Sequence, residues 1–271
     1  MTSIEKFLDQ RLASGRETFT RTEVASELTL TTSGLESALA RLRARQRIAS
    51  PYKNFYVIVR PEDVVMGAPD VDRWIDPLMR HLDLDYRVSL LRAAALHGSS
   101  HQAVMIFQVI VPKQLRSFEI GRQRIQFLTQ AAREFNAVNQ EEFLTRIKSR
   151  SGYAKAAGLE LNLLDAARYC GKAGGINGVA QMAKTLGGRA SSRRLSALAA
   201  HYETPCVRRL GFLLEYFNHN RQARALEPFV ASAKTRAPLD PSAIVIHSLG
   251  EEYETDAKWK IVLNREVEVD D

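Results

Sequence analysis

The chain has 271 residues, 45% of them hydrophobic, a net charge of +7 and two cysteines. That length and apolar content support a real core in one or two domains. Two cysteines are too few for a disulfide framework or a zinc site, so Cys170 and Cys206 are expected as buried thiols. No run of about 18 apolar residues reads as a membrane helix, and the N-terminal MTSIEKFLDQ has no signal-peptide pattern. The expectation is a cytoplasmic protein with no membrane partner.

The charge is unevenly spread. Residues 1–60 hold ten Lys/Arg against six Asp/Glu, 61–150 twelve against eleven, 151–236 thirteen against five, and 237–271 three against nine. There are thus two basic regions and an acidic tail, a distribution that favours a polyanionic partner.

Ser3 opens a first helix to about Leu12, with Ile4, Phe7, Leu8 and Leu12 on one side. Phe19 lies in a short extended piece. Thr20 caps a second helix with Glu23 at the capping-box spacing, and Thr29 to Thr32 turn the chain. Thr31 or Thr32 caps a third helix to about Arg45, in which Leu35, Leu39 and Leu42 face the core. Ile48 and Phe55 to Val59 make two strands, with Pro51-Tyr52-Lys53-Asn54 at the tip between them. Helix, turn, helix, hairpin is the order of a winged helix-turn-helix.

The third helix carries Thr32, Ser33, Ser37, Arg41, Arg43 and Arg45 away from its apolar side. Small hydroxyls beside Thr31 suit contact with base edges and phosphates, and arginines suit phosphate or guanine. Lys53 and Asn54 at the wing tip are placed for the DNA backbone or minor groove. An arginine-rich helix can also be a plain solvated face, and some winged helices bind protein instead; the order of the elements favours double-stranded DNA.

Pro61 to Pro69 reads as a linker. Asp70 or Asp72 then caps a helix through His81, and Arg87 to His97 reads as another, stopped by Gly98. Val104 to Val111 is a buried strand. Phe118–Ile120 and Arg124–Leu128 form a hairpin around Gly121, and an extended piece covers 143–148. From Leu159 the pattern is helical: to Tyr169, from Ile176 to Leu186, from Ser191 or Ser192 to about Tyr202, and from Thr204-Pro205 through CVRRLGFLLEYF. Two strands, Ala243–His247 and Trp259–Leu263, follow. If the last two helices pack antiparallel, Arg189, Arg193, Arg194, Arg208 and Arg209 form a second basic surface for nucleic acid.

No catalytic pattern emerges. None of the six histidines has a metal-binding spacing such as H-E-x-x-H. Asp83/Asp85 and Glu251/Glu252 lie in polar loops. Gly174-Gly175 and Gly187-Gly188 punctuate helices without a P-loop, and no serine sits in G-x-S-x-G. Asp165 on a helix could be an acid, but a helix N-terminal or surface role suits it better. No enzyme, cofactor or metal is expected.

The order of YVIVRPED, YRVSLLRAAALHGSSHQAVMIFQVIV, EIGRQRIQFL, SGYAKAAGLELNLLDAARYCGKAGGINGVAQMAK and VRRLGFLLEYF resembles the AbiEi family, the antitoxins of type IV (AbiE) bacterial toxin–antitoxin systems. The likeness covers nearly the whole chain. It departs after Gly152-Tyr153, where relatives often read VSTPERTALD and this chain reads AKAAGLELNLLD.

The resemblance implies an α+β protein: a winged helix-turn-helix at 1–60, a linker at 61–70, and a mixed α/β antitoxin domain at 71–271 with a small sheet and a helical bundle. It implies binding of inverted repeats in the protein's own promoter. It also implies neutralisation of a cognate toxin resembling a nucleotidyltransferase, without a stable complex, by a protein monomeric in solution. Two alternatives stay open. A ligand-sensing winged-helix regulator without a toxin would need an apolar pocket, and a nuclease would need clustered carboxylates.

Overall fold

The computed structural model describes residues 3–99, 106–149, 151–231, 233–243 and 253–269. The protein is α+β, and its chain divides into two compact units. One comprises Met1–Arg87, Met105–Thr129 and Arg146–Lys155; the other comprises Val88–Val104, Gln130–Thr145 and Ala156–Asp271.

The first unit begins with α1 (Ser3–Ala13), β1 (Thr18–Thr20), α2 (Arg21–Glu27), α3 (Thr32–Ala44), β2 (Ile48–Tyr52) and β3 (Phe55–Ile58). The capping box at Thr20 forms in full: its hydroxyl accepts from the Glu23 N–H, and the Glu23 carboxylate accepts from the Thr20 N–H at 2.6 Å. Thr31 caps α3 by accepting from the Gly34 N–H at 3.2 Å. The strands form a small antiparallel sheet in the order β1-β3-β2. Phe19 joins strands to helices, stacked on Tyr56 at 5.1 Å and edge-on to Phe7 at 5.4 Å. Around it Leu8, Val24, Leu35, Leu39, Leu42 and Ile58 are buried.

Residues 61–70 are not a free tether. The Met66 carbonyl accepts from the Arg122 N–H at 3.0 Å, and the Gln123 side chain donates to the carbonyls of Ala68 and Pro69 at 2.9 and 3.1 Å. Gly121 permits this contact, because a Cβ there would lie 1.9 Å from the Met66 oxygen. The polar, small composition that reads as a linker is here a segment whose backbone is consumed by a hairpin. The N-terminal helices and strands share a compact unit with residues 61–70 and with the strands that follow.

Neither Asp70 nor Asp72 caps a helix through its side chain. A 3-10 turn at Val71–Arg73 precedes α4 (Ile75–His81), which has no side-chain cap. Strands β4 (Arg87–Val88), β5 (Ile106–Val111), β6 (Phe118–Ile120), β7 (Gln123–Thr129), β8 (Leu144–Ser149) and β9 (Gly152–Ala157) form a mixed sheet in the order β6-β7-β5-β4-β9-β8. β5 pairs parallel with β7 from Ile106↔Arg124 to Val111↔Thr129. Its run of branched apolar residues is buried after the first position.

In the second unit, α5 (Leu90–Leu96) and α6 (Ala132–Val138) precede the bundle α7 (Leu159–Arg168), α8 (Gly175–Leu186), α9 (Ser192–Ala199), α10 (Thr204–Tyr216) and α11 (Asn220–Arg224). The helix expected from Arg87 begins only at Leu90, because Ser89 is extended and its hydroxyl donates to Asp165 at 2.7 Å. Leu90 then adopts φ +55°, a conformation that costs an L-residue about 1–2 kcal/mol.

α7 starts at Gly158 without a side-chain cap; the Gly158 N–H donates to the Phe143 carbonyl at 2.8 Å, and a Cβ would sit 2.6 Å from that oxygen. Short strands β10 (Ala237–Pro238), β11 (Thr255–Asp256) and β12 (Ile261–Val262) close the unit, in the order β10-β12-β11. The strand expected at 243–247 lies, beyond Ala243, outside the described residues.

Candidate nucleic-acid interface

α3 has one buried face, Leu35, Ala38, Leu39 and Leu42. At about 100° per residue, Ser33, Ser37, Ala40 and Ala44 fall opposite it, and all four are exposed. Arg41 lies on one flank of this small-residue face and Arg43 on the other. Both are exposed, and neither forms an ion pair among the described residues. Arg45 lies 3.8 Å from Glu5. Glu36, an acid on the Arg43 flank, is held at 2.7 Å by Arg21. The helix thus offers a close-approach surface between cations, its one acid already paired. Thr31 and Thr32 are exposed at its N-terminus.

The hairpin tip is narrower than the sequence suggests. Pro51 and Tyr52 belong to β2, and only Lys53 and Asn54 turn, with Asn54 at φ +60°. The tip carbonyls are all engaged by the protein. Ser50 Oγ donates to Tyr52 and Phe55 at 3.1 and 3.2 Å, the Arg21 N–H donates to Asn54 at 2.9 Å, and His81 Nε2 contacts the Lys53 oxygen at 3.2 Å. The His81 ring also packs on Phe55 at 5.5 Å. With its acceptors turned inward, the tip presents the Lys53 and Asn54 side chains outward, and both are exposed. All nine residues expected at DNA therefore lie on the surface. Histidine 81 is the part of this region that sequence did not foresee; no local pattern marks it, because its partner is 28 positions away.

Below β1 the module is tied down by charge. Glu17, 1% exposed, accepts from Arg73 Nε at 2.5 Å and pairs with Arg60 at 2.8 Å, while Arg73 reaches Asp63 at 3.2 Å. Arg11, also buried, bridges Glu23 and Glu27 at 3.0 and 3.2 Å. A cleft of about 500 Å³ beside β1 is lined by several of these groups and by Arg16, Thr18 and Arg80. Its carboxylates Glu17 and Glu23 are paired, and so are Arg11 and Arg80; Arg16 is the lining cation with no ion pair among the described residues.

The expected second basic surface is only partly a surface. Arg189, Arg193 and Arg194 are exposed, but Arg208 and Arg209 are 2% and 4% exposed. Arg208 Nη1 donates to the Thr235 carbonyl at 2.6 Å; Arg209 donates to Leu239 at 2.7 Å, Ala167 at 2.8 Å and Pro238 at 3.3 Å. Burial lowers both guanidinium pKa values, and for Arg208 the neighbouring Arg209 charge adds to the effect. These side chains satisfy carbonyls of the C-terminal segment, whose short strands leave backbone acceptors unpaired. Charge patterning along a helix cannot reveal a cover supplied by residues 30 positions later.

Asp165 is neither a surface nor a helix-terminal acid. It is fully buried and accepts from Ser89 Oγ at 2.7 Å and Tyr202 OH at 2.6 Å, while Asn162 accepts from Ser89 at 3.1 Å and donates to the Leu90 carbonyl. Cys170 and Cys206 are buried free thiols, and burial pushes them up to about 11 and about 12. Among the described residues, no three His, Cys, Asp or Glu side chains gather to hold a metal ion, and no helix is long and apolar enough to cross a membrane.

Residues 87–216 match the family model of the AbiEi antitoxin C-terminal domain. The chain carries an AbiEi antitoxin domain. AbiEi proteins are antitoxins of toxin–antitoxin systems, and the buried Ser89–Asp165–Tyr202 cluster lies within the matched residues. α11 and the C-terminal strands lie beyond them. No curated protein matches the sequence. The fold is similar to that in the crystal structure of RV2827C protein from Mycobacterium tuberculosis, with a TM-score of 0.64 over 95% of this chain and 90% of that one, at 14% identity. At that identity the likeness is one of fold.

Proposed function

We propose that this AbiEi protein is an antitoxin that also represses its own operon. The winged-helix elements bind double-stranded promoter DNA at inverted repeats, and the AbiEi domain neutralises a cognate nucleotidyltransferase-like toxin without forming a stable complex. The carrying observation is the outer face of α3. Four small exposed residues lie between the unpaired Arg41 and Arg43, beside a wing tip whose carbonyls point inward. Small residues let the helix sit deep in the major groove. Arg41, Arg43 and Lys53 neutralise phosphates on either side.

Binding to the upstream region should weaken as salt rises, and Arg41→Ala, Arg43→Ala and Lys53→Ala should each reduce the log–log slope by about 0.9. Retention of the full slope in the triple variant would place the reading surface elsewhere. The antitoxin half is tested by co-expression with the adjacent gene. Growth arrest by that gene alone and rescue by this one are expected; a toxin that this protein does not rescue would refute it. A ligand-sensing regulator would use a cleft of about 460 Å³ lined by Ile4, Leu30, Ala38 and Leu42 with Glu5, Arg41 and Arg45; a ligand there would share Arg41 with the proposed DNA face.

A further inference from the structure

A cleft of about 460 Å³ opens along one side of α3. At about 100° per residue, Gly34, Ala38, Arg41, Leu42 and Arg45 share that side. Gly34 carries no side chain and Ala38 a single methyl, so α3 leaves the space toward Ile4 and Glu5 of α1 unfilled. Leu30, just before α3, completes the wall and is 39% exposed, whereas Ile4, Ala38 and Leu42 are buried. Apolar groups bordering such a space lack packing partners on one side. Its volume falls within the range of about 300–1,000 Å³ usual for small-molecule sites.

The chemistry of the lining is narrow. It offers aliphatic walls and ion-pairing groups, with no hydroxyl, amide or aromatic side chain. That composition suits an aliphatic body with a charged head rather than a sugar or a base. Arg41 forms no ion pair among the described residues, and Arg45 meets Glu5 at 3.8 Å with its side chain 70% exposed. A pair that long and that hydrated contributes little, so Arg45 can turn to a second carboxylate at small cost. Two cations and one acid leave the cleft one positive charge in excess. A single negative charge balances it, and guanidinium groups present paired donors to a carboxylate.

We propose that this cleft binds a small amphipathic monoanion, an aliphatic carboxylate. Its chain lies against Ile4, Leu30, Ala38 and Leu42, and its head group accepts hydrogen bonds from Arg41 and Arg45. An occupied cleft takes Arg41 away from phosphate, so the acid opposes DNA binding. This regulatory consequence rests on the DNA face proposed above; binding of the acid does not. Because the two binding free energies are linked, operator DNA weakens binding of the acid by the same factor.

Isothermal titration calorimetry of octanoate into the full chain, without DNA, tests the site. One molecule per chain is expected to bind. Octanamide, of the same length but neutral, should bind at least about tenfold more weakly. Ala38→Leu should fill the cleft and abolish binding. Leu30→Gln alters a partly exposed side chain, so the fold should hold while binding falls about fivefold. Both variants should shift the operator as the wild type does, since neither residue lies on the proposed DNA face. In the wild type, saturating octanoate should reduce operator affinity and lower the log–log salt slope by about 0.9, the loss of one phosphate contact. Operator binding by Ala38→Leu should be indifferent to octanoate. No binding of octanoate, equal binding of octanamide, or binding that survives both substitutions would overturn the proposal, as would full operator affinity in saturating octanoate. A dimer in sedimentation that Leu30→Gln dissociates would overturn it too, by making the cleft a self-docking surface. Octanoate binding by protein that does not shift the operator at all would support the cleft and refute the DNA reading.

Discussion

Replacing His81 with alanine removes an anchor of the wing without removing a charge from the proposed DNA face. The imidazole makes one hydrogen bond to the Lys53 carbonyl at 3.2 Å and packs on Phe55 at 5.5 Å. A net hydrogen bond of this kind is worth about 1 kcal/mol. The tip keeps its contacts from Arg21 and Ser50, so the substitution should loosen the wing rather than unfold it. Operator affinity is then expected to fall about three- to fivefold, since about 1.4 kcal/mol is tenfold. The salt slope should be unchanged, because no phosphate contact is lost; Lys53→Ala should instead reduce it by about 0.9. Glutamine at position 81, which can also donate to the carbonyl, should recover much of the affinity. The assay is anisotropy on the upstream duplex across a salt series. A slope reduced in His81→Ala as far as in Lys53→Ala would refute the anchoring argument by making His81 a phosphate contact itself. Unchanged affinity would show that the wing needs no anchor.

Three further outcomes are expected. Gly211→Ala should destabilise by about 3 kcal/mol, at the upper end of overpacking costs, because the new Cβ would lie 2.1 Å from the buried Trp259 ring; chemical denaturation measures it, and a wild-type midpoint would show that the ring can retreat. Asp165→Ala leaves the Tyr202 hydroxyl without its buried acceptor and the Ser89 hydroxyl with Asn162 alone, and should cost about 3 kcal/mol, read by the same assay. The Glu23 carboxyl is pushed up by partial burial, but the Thr20 N–H and hydroxyl together with Arg11 outweigh that and hold it below the ordinary value of 4.5. A lowered folded-state pKa stabilises fully above the unfolded value and is lost as pH falls through the folded one. Glu23→Gln should therefore flatten the loss of stability below pH 4.5, and an unaltered acid limb would rule the capping box out as its cause.

Local rules were legible without the fold. The Thr20–Glu23 capping box, the Thr31 cap, the apolar stripe of α3, the Gly98 stop and the Pro205 start all form within a few residues of one another, and short-range hydrogen bonding and helical periodicity are written in sequence. The β-branched run of β5 is equally plain. Helix α6 and strand β9 were not foreseen: α6 is a single short segment, AREFNAV, without a side-chain cap, and β9, GYAKAA, has little β-branched content to mark it.

The order of the N-terminal elements and the faces of their helices follow from contacts a turn apart, so residue pattern is enough to read them. Tertiary structure alone decided which cations remain free. Arg41 and Arg193 stay in solvent, whereas Arg208 and Arg209, in an equally basic run, are consumed by carbonyls of residues 235–239. It also decided that the β2–β3 hairpin tip meets His81, that the backbone of 61–70 bonds to a hairpin, and that Asp165 is an interior acceptor. Each depends on a partner distant in the chain, and neither charge nor periodicity at one position records what will cover it.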